Sequence, residues 1–473
     1  MKKKRRKWLI VTAVVAAILA SLFYIVLRED PRYVAAAEML PKVKAQAERT
    51  FGPLTWDEHR DQSGTVYRDD RNGWRDLSQS TPPAASALWD FRNPSSDTGL
   101  QVFLAEQAWF AELPLRLAPL RVHHVFKPDW KDWTFESAAY TKEMTKAIAV
   151  AVAATADLGR VSELRSFVQS GHGIAVKNYE EPSHLNALVG IANQSVLTDA
   201  ILRTAVKHRN SPSVFKALDE LLGEAPEFPS VSKLVAAEVR SWAPYLEDLR
   251  GLKPGEVEIW LDQMQAGAFE EYKPKSLLDK IKEHYEAYKY GGEVEVRRTG
   301  ANTAAALEAR FWEAALALDG ALNGVSAETG EGIDELDQAV DAIGNATDPS
   351  YEMAGMFVYL TNITTVMQRW AFRVAGADTV MEMVKRFPEY DDIPVGLPLD
   401  LVFTDPFGHG APVLYRKTTT GFLIYSRDAD EADDGYVPGN LAHLNKRYCT
   451  YSRSLSGKDV GYVVSYAPTD PRK

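Results

Sequence analysis

Carboxylates are the densest chemistry in the sequence. Asp428, Asp430, Asp433 and Asp434, with Glu431 among them, crowd into the stretch 428–434, directly after an apolar run FLIYS. Hard cations such as calcium take about six to eight oxygen ligands, and closely spaced carboxylates in a loop supply them. Without a cation the same groups repel one another. The spacing is not that of an EF-hand, since Ala432 stands where a third ligand belongs and Gly439 where the closing Glu belongs. The plainer reading of the run is a solvated acidic turn; the sharper one is a calcium loop with those four aspartates as ligands.

Other reactive types are scattered. Ser213-x-x-Lys216 and Ser230-x-x-Lys233 match the nucleophile motif of penicillin-binding enzymes. Their Lys-Thr-Gly partner is only approximated by Lys417-Thr418-Thr419. His123 and His124 with Asp129 offer metal-ligand types, but adjacent histidines on a strand point to opposite sides. His172 between Gly171 and Gly173 reads as a turn residue, and His184 opens a helix. Glu180 and Glu181 precede Pro182 and read as a solvated linker. The lone Cys449 allows no intramolecular disulfide. No His-Glu-x-x-His, phosphate-binding Gly-x-x-x-x-Gly-Lys or Gly-x-Ser-x-Gly occurs.

The elements that must carry these residues change along the chain. After Phe387 come strand signals: PVLYRK and FLIYS flank Thr418-Thr419-Thr420-Gly421, then RYCTYSRSL and VGYVVSYAP flank Ser456-Gly457-Lys458-Asp459. These predict two hairpins and a small antiparallel sheet. Before them, 136–390 reads as a helical body. A helix from Ser137 stops at Gly159, and RVSELRSFVQ forms a second one stopped by Gly171. A third, after Ser183, shows Leu185, Leu188, Val189, Ala192, Val196 and Ala200 on one face. Ser211 caps a helix opening at Pro212, and further helices fall at 230–250, 254–265, 275–290, 301–322 and 348–387. The segment 28–135 starts as a helical stalk, interrupted at Pro41, and continues as an irregular, tryptophan-rich stretch.

The N-terminus predicts where the chain sits. Six basic residues, Lys2 to Lys7, precede the uncharged run from Trp8 to Leu27. Twenty uncharged residues, all apolar but Thr12 and Ser21, span ~30 Å as a helix, the thickness of a bilayer core. The basic flank prefers the cytoplasm, so residues 1–7 should lie inside and everything beyond 27 outside. Removing those six basic residues leaves 48 basic against 65 acidic ones. Such an acidic body argues against nucleic acid as a partner, which demands a basic face.

The stretch DPFGHGAPVLYRKTTTGFLIYSRDADEADDG, 405–435, resembles a C-terminal signature found in families of membrane-anchored bacterial proteins with helical bodies. It is also distantly similar to the end of the major pseudopilins, whose acidic loop holds calcium. The resemblance implies fold and topology, not an activity. The chain lacks the pseudopilins' prepilin-peptidase site. In the DPFG turn, Asp405-Pro406 tightens the chain, and Tyr415 and Tyr425 are expected on one sheet face.

The expected architecture is therefore mainly α. It comprises a basic tail (1–7), a transmembrane helix (8–27), a stalk with an irregular region (28–135), a multi-helix body (136–390) and a C-terminal sheet of hairpins (391–473). The expected role is an envelope scaffold or interaction protein, partnered by the membrane and by other envelope proteins. The alternative is an extracytoplasmic hydrolase with a scattered active site.

Overall fold

The structure is a computed structural model and describes residues 29–55, 136–180, 184–253, 255–257, 259–261, 300–326, 332–346, 348, 362–408, 410–426, 448–453 and 460–466. Helices dominate it: α1 (Pro31–Phe51), α2 (Glu136–Asp157), α3 (Val161–Glu180), α4 (His184–Lys207), α5 (Pro212–Gly223), α6 (Val231–Gly251), α7 (Thr303–Leu322), α8 (Ile333–Gly344) and α9 (Asn362–Arg386). A small sheet follows, of β1 (Leu414–Lys417), β2 (Gly421–Ser426), β3 (Cys449–Arg453) and β4 (Val460–Ser465). The mainly helical class with an antiparallel sheet is thus what the chain adopts. The chain divides into two compact units, one of Met1–His59, Val239–Leu318 and Gln338–Val358, the other of Arg60–Glu238, Asp319–Asp337 and Tyr359–Lys473.

In the first unit α1 begins anew after the apolar run. Asp30 adopts an extended conformation and its carboxylate accepts the Arg32 backbone N–H at 2.9 Å, with Pro31 at the first helical position. The expected break at Pro41 does not occur, because the helix runs through it. Tyr33 and Ala36 pack on Ala306 of α7. At the other end of α1, the Arg240 guanidinium donates to Phe51 O and Pro53 O, both at 2.9 Å. Those carbonyls have no partner within the helix, so the arginine acts as a C-terminal cap. Glu308 on α7 is buried and accepts from Arg250 Nε at 2.6 Å and Trp312 Nε1 at 3.1 Å.

The second unit is built on α2, α3 and α4, with α5, α9 and the sheet around them. Gly159 ends α2 as expected: its φ is 67°, and Gly159 N–H bonds Ala156 O while Arg160 N–H bonds Thr155 O. That pair of bonds is a Schellman cap. Gly171, however, does not end α3, which continues to Glu180. A Cβ there would stand 2.7 Å from Leu197 Cδ2 of α4, so this glycine is a packing notch and not a stop. The buried stripe of α4 also differs from expectation. Ala200 is buried as expected, but Ala192 is exposed and Leu188, Val189 and Val196 are half-buried, whereas Asn193, Gln194, Leu197 and Ile201 are inside.

All four expected strands form, in the order β1-β2-β4-β3 and antiparallel throughout. Thr418 closes the first hairpin, its N–H bonding Gly421 O and its Oγ1 accepting the Gly421 N–H at 3.0 Å. Register pairs Leu414 with Tyr425 and Tyr415 with Ile424. Side chains alternate along a strand, so Tyr415 and Tyr425 lie on opposite faces, correcting the expectation. Phe422, Ile424, Tyr462 and Val464 join the main core beside Phe372 of α9, while Leu423, Tyr425 and Val463 form a second small cluster. Tyr462 packs so closely on α9 that a Cβ at Gly376 would meet its ring at 2.9 Å.

Candidate functional site

Among the described residues, three places concentrate polar side chains in the interior of the second unit. The first is the DPFG turn. Asp405 is fully buried, and its Oδ1 accepts the Ser426 hydroxyl at 2.6 Å and the Phe407 N–H at 3.1 Å. Gln368 Nε2 of α9 donates to Pro406 O at 2.8 Å. This carboxylate ties the turn to the last residue of β2, and the acidic run starts two residues beyond that strand. Asp428, Asp430, Asp433 and Asp434 themselves lie outside the described residues. Among the described ones, no group of three His, Cys, Asp or Glu is arranged to hold a metal ion.

The second place is a clasp around Arg373 of α9. Its Nη2 donates to Asp199 Oδ1 at 2.6 Å and to Ser195 O at 2.7 Å on α4, and its guanidinium lies 4.3 Å from the centre of the Tyr451 ring. Tyr462 donates its hydroxyl back to Arg373 O at 2.9 Å. Burial works against the charge, but the Asp199 carboxylate and the two tyrosines outweigh it and hold the guanidinium protonated. Cys449 is buried, and burial first, then Asp199, pushes its thiol well above the ordinary range, so it has no thiolate character. The arrangement bolts α9 and β3 to α4.

The third place is the seam between α3 and α4, and it is the candidate site. Two close approaches fix the seam: Gly171 under Leu197, and Gly190 under the Tyr179 ring, where a Cβ would come within 2.4 Å of Cε1. These pairings run the helices antiparallel. Asn193 and Gln194 lie between them on α4. At ~100° per residue, His172 and Tyr179 fall on one flank of α3, seven positions apart. All four side chains are buried, yet among the described residues His172 Nε2, the Tyr179 hydroxyl and every amide atom of Asn193 and Gln194 lack a hydrogen-bond partner. Other buried polar groups of the bundle bond within their own helices: Asn178 Nδ2 donates to Ile174 O at 2.8 Å and, on α2, Thr145 Oγ1 to Thr141 O at 2.9 Å. Phe228 meets the Tyr179 ring edge-on at 5.9 Å.

Burial sets the protonation of the seam. It pushes the His172 imidazole down to about 4 and raises the Tyr179 hydroxyl well above its ordinary value. Both are neutral at physiological pH. The four residues can therefore donate and accept hydrogen bonds to an uncharged polar group, or to the ordered water that commonly satisfies such atoms. They are poor acid–base catalysts at that pH.

The reactive types singled out in the sequence are placed elsewhere. Ser213 and Lys216 are both exposed on α5, where Lys216 faces Glu220 at 3.8 Å. Ser230 and Lys233 are exposed at the start of α6. His172, expected in a turn, is inside α3. His123, His124 and Asp129 lie outside the described residues, as do Glu181 and the tryptophan-rich stretch beyond residue 55. The chain matches no family model, no curated protein and no solved structure.

Proposed function

We propose that the chain is a membrane-anchored extracytoplasmic protein whose helical body serves as an envelope scaffold or interaction surface, with residues 8–27 as the anchor and residues 1–7 in the cytoplasm. Among the described residues no helix is long and apolar enough to cross a membrane, and the apolar run itself lies outside them. What supports the reading is the attachment directly after that run. Glu29 Oε1 accepts the Asn302 backbone N–H at 2.7 Å, Oε2 accepts Asn302 Nδ2 at 2.9 Å, and Thr303 Oγ1 donates to Oε1 at 3.2 Å. The carboxylate thereby caps α7, where it also meets the positive end of the helix dipole. One residue, Arg28, separates Leu27 from Glu29, at most ~7 Å of chain. A short, bonded junction of this kind suits a body held in fixed relation to its anchor. The resemblance of 405–435 to membrane-anchored bacterial families is consistent with it.

The test is topological. Protease added to spheroplasts should digest residues beyond 27 and spare an epitope placed before Lys2. A body protected until the membrane is broken would overturn the reading. The acidic run is carried within it as a proposed calcium loop. Calorimetry with calcium should give heat for the parent and none after Asp430→Asn and Asp433→Asn; equal heats would leave it a solvated turn.

A further inference from the structure

We infer that the first turns of α1, together with the loop that opens α7, form the membrane-apposed face of the first unit, and that α1 climbs away from the bilayer. This rests on the anchor proposed above and adds an orientation to it. The motive is a change in the exposed surface along α1. Over its first five residues the exposed positions are Pro31, Val34 and Ala35, none of them charged, and Val34 is 38% exposed. Ala301, beside the Glu29 clamp, is exposed too. Arg32, the one charged residue there, pairs with Asp30, its Nη2 at 2.9 Å and its Nε at 3.1 Å from the carboxylate, while its side chain stays 38% exposed. From Glu38 onward the exposed positions include Lys42, Glu48 and Arg49.

Apolar side chains at the headgroup boundary are stabilised by partial burial, whereas charged ones remain in water. A collar of apolar residues around one paired arginine, whose long side chain can reach the headgroups, grading into a more charged surface, is what that boundary selects. The occupant is therefore the lipid surface itself. At ~1.5 Å per residue, Glu48 lies ~21 Å further along α1 than Val34, beyond the headgroup layer if the helix rises.

Cys449 is buried, so a thiol-reactive fluorophore reports on one introduced cysteine at a time. The full chain is made as Val34→Cys and, separately, Glu48→Cys, labelled with a polarity-sensitive probe, and reconstituted in vesicles of phosphatidylethanolamine and phosphatidylglycerol. Spin-labelled lipid should quench the probe at 34 about two-fold and leave the probe at 48 unchanged, with iodide in the buffer doing the reverse. Equal quenching of both by lipid would show α1 lying flat, and quenching of neither would show the collar away from the membrane; each result overturns the inference. Flotation of the same vesicles separates the two levels. Chain that floats but shows no lipid quenching at 34 retains its anchor and loses the apposed face. Chain that does not float loses both.

Discussion

Lowering the pH should destabilise the second unit through one imidazole. His172 is 6% exposed, and burial lowers its pKa from 6.5 to about 4. Between those values the unfolded chain binds a proton that the folded chain refuses, so stability falls as pH falls. The loss begins near the upper value, proceeds at ~1.4 kcal/mol per pH unit and ends near the lower one. Moving from about pH 7 to about pH 5 should therefore cost roughly 2 kcal/mol from this group alone. With a urea slope of ~2 kcal/mol per molar, the unfolding midpoint drops by roughly 1 M. Other groups titrate over the same range, so the comparison is with His172→Leu, which fills similar space and cannot protonate. Urea unfolding followed by far-UV circular dichroism, at both pH values for both proteins, gives the difference of differences. The parent should lose roughly 2 kcal/mol more than the variant. Parallel losses would refute the reasoning, since they would mean that the seam admits a protonated imidazole at no cost.

Two further perturbations test the packing. Glu308 is buried whereas Arg250 is partly exposed, so removing the arginine is the worse insult. Arg250→Met should cost ~3 kcal/mol in urea unfolding, and Glu308→Gln, which keeps an acceptor for Trp312, ~1 kcal/mol; the reverse order would contradict the burial argument. Gly376→Ala should cost ~1–3 kcal/mol because its methyl group meets the Tyr462 ring, while Gly320→Ala, exposed near the end of α7 with nothing within 4 Å, should stabilise by ~0.5 kcal/mol. Thermal melts of the two variants moving in the same direction would remove the distinction.

The strands were legible in the sequence because each is a short β-branched and aromatic run bounded by a turn. Strand order was not. A hairpin turn names its two neighbours, but nothing in the residues says that β4 will lie beside β2. A Cβ on Gly421 would come within 2.1 Å of Val464 O, so the glycine that marks the turn also admits β4. The helices were legible where apolar spacing was strong, with α8 the exception: it went unseen although Ile333, Leu336, Val340 and Ile343 recur at helical spacing. Gly159 and Gly171 look alike in sequence. One takes a positive φ and stops its helix; the other is helical and exists for a neighbour's leucine, which only the fold supplies.

The same reasoning explains why the candidate site was the least legible part. An aspartate-rich run announces itself, since clustered charge is rare and its chemistry local. The seam announces nothing. Asn193 and Gln194 interrupt an apolar helix, and pattern reading passes over such interruptions, setting most of the buried face of α4 on half-buried or exposed residues, with Ala200 the exception. Their burial comes from two glycines on partner helices, Gly171 and Gly190, that bring α3 and α4 close enough to shut the amides in. Leaving one buried polar group unsatisfied costs ~1–3 kcal/mol, and several sit here together. That cost is larger than any packing gain from an amide over a leucine of similar size. A seam kept polar against that gradient is where a hydrogen-bonding guest, water or an uncharged ligand, would return the most free energy to the fold.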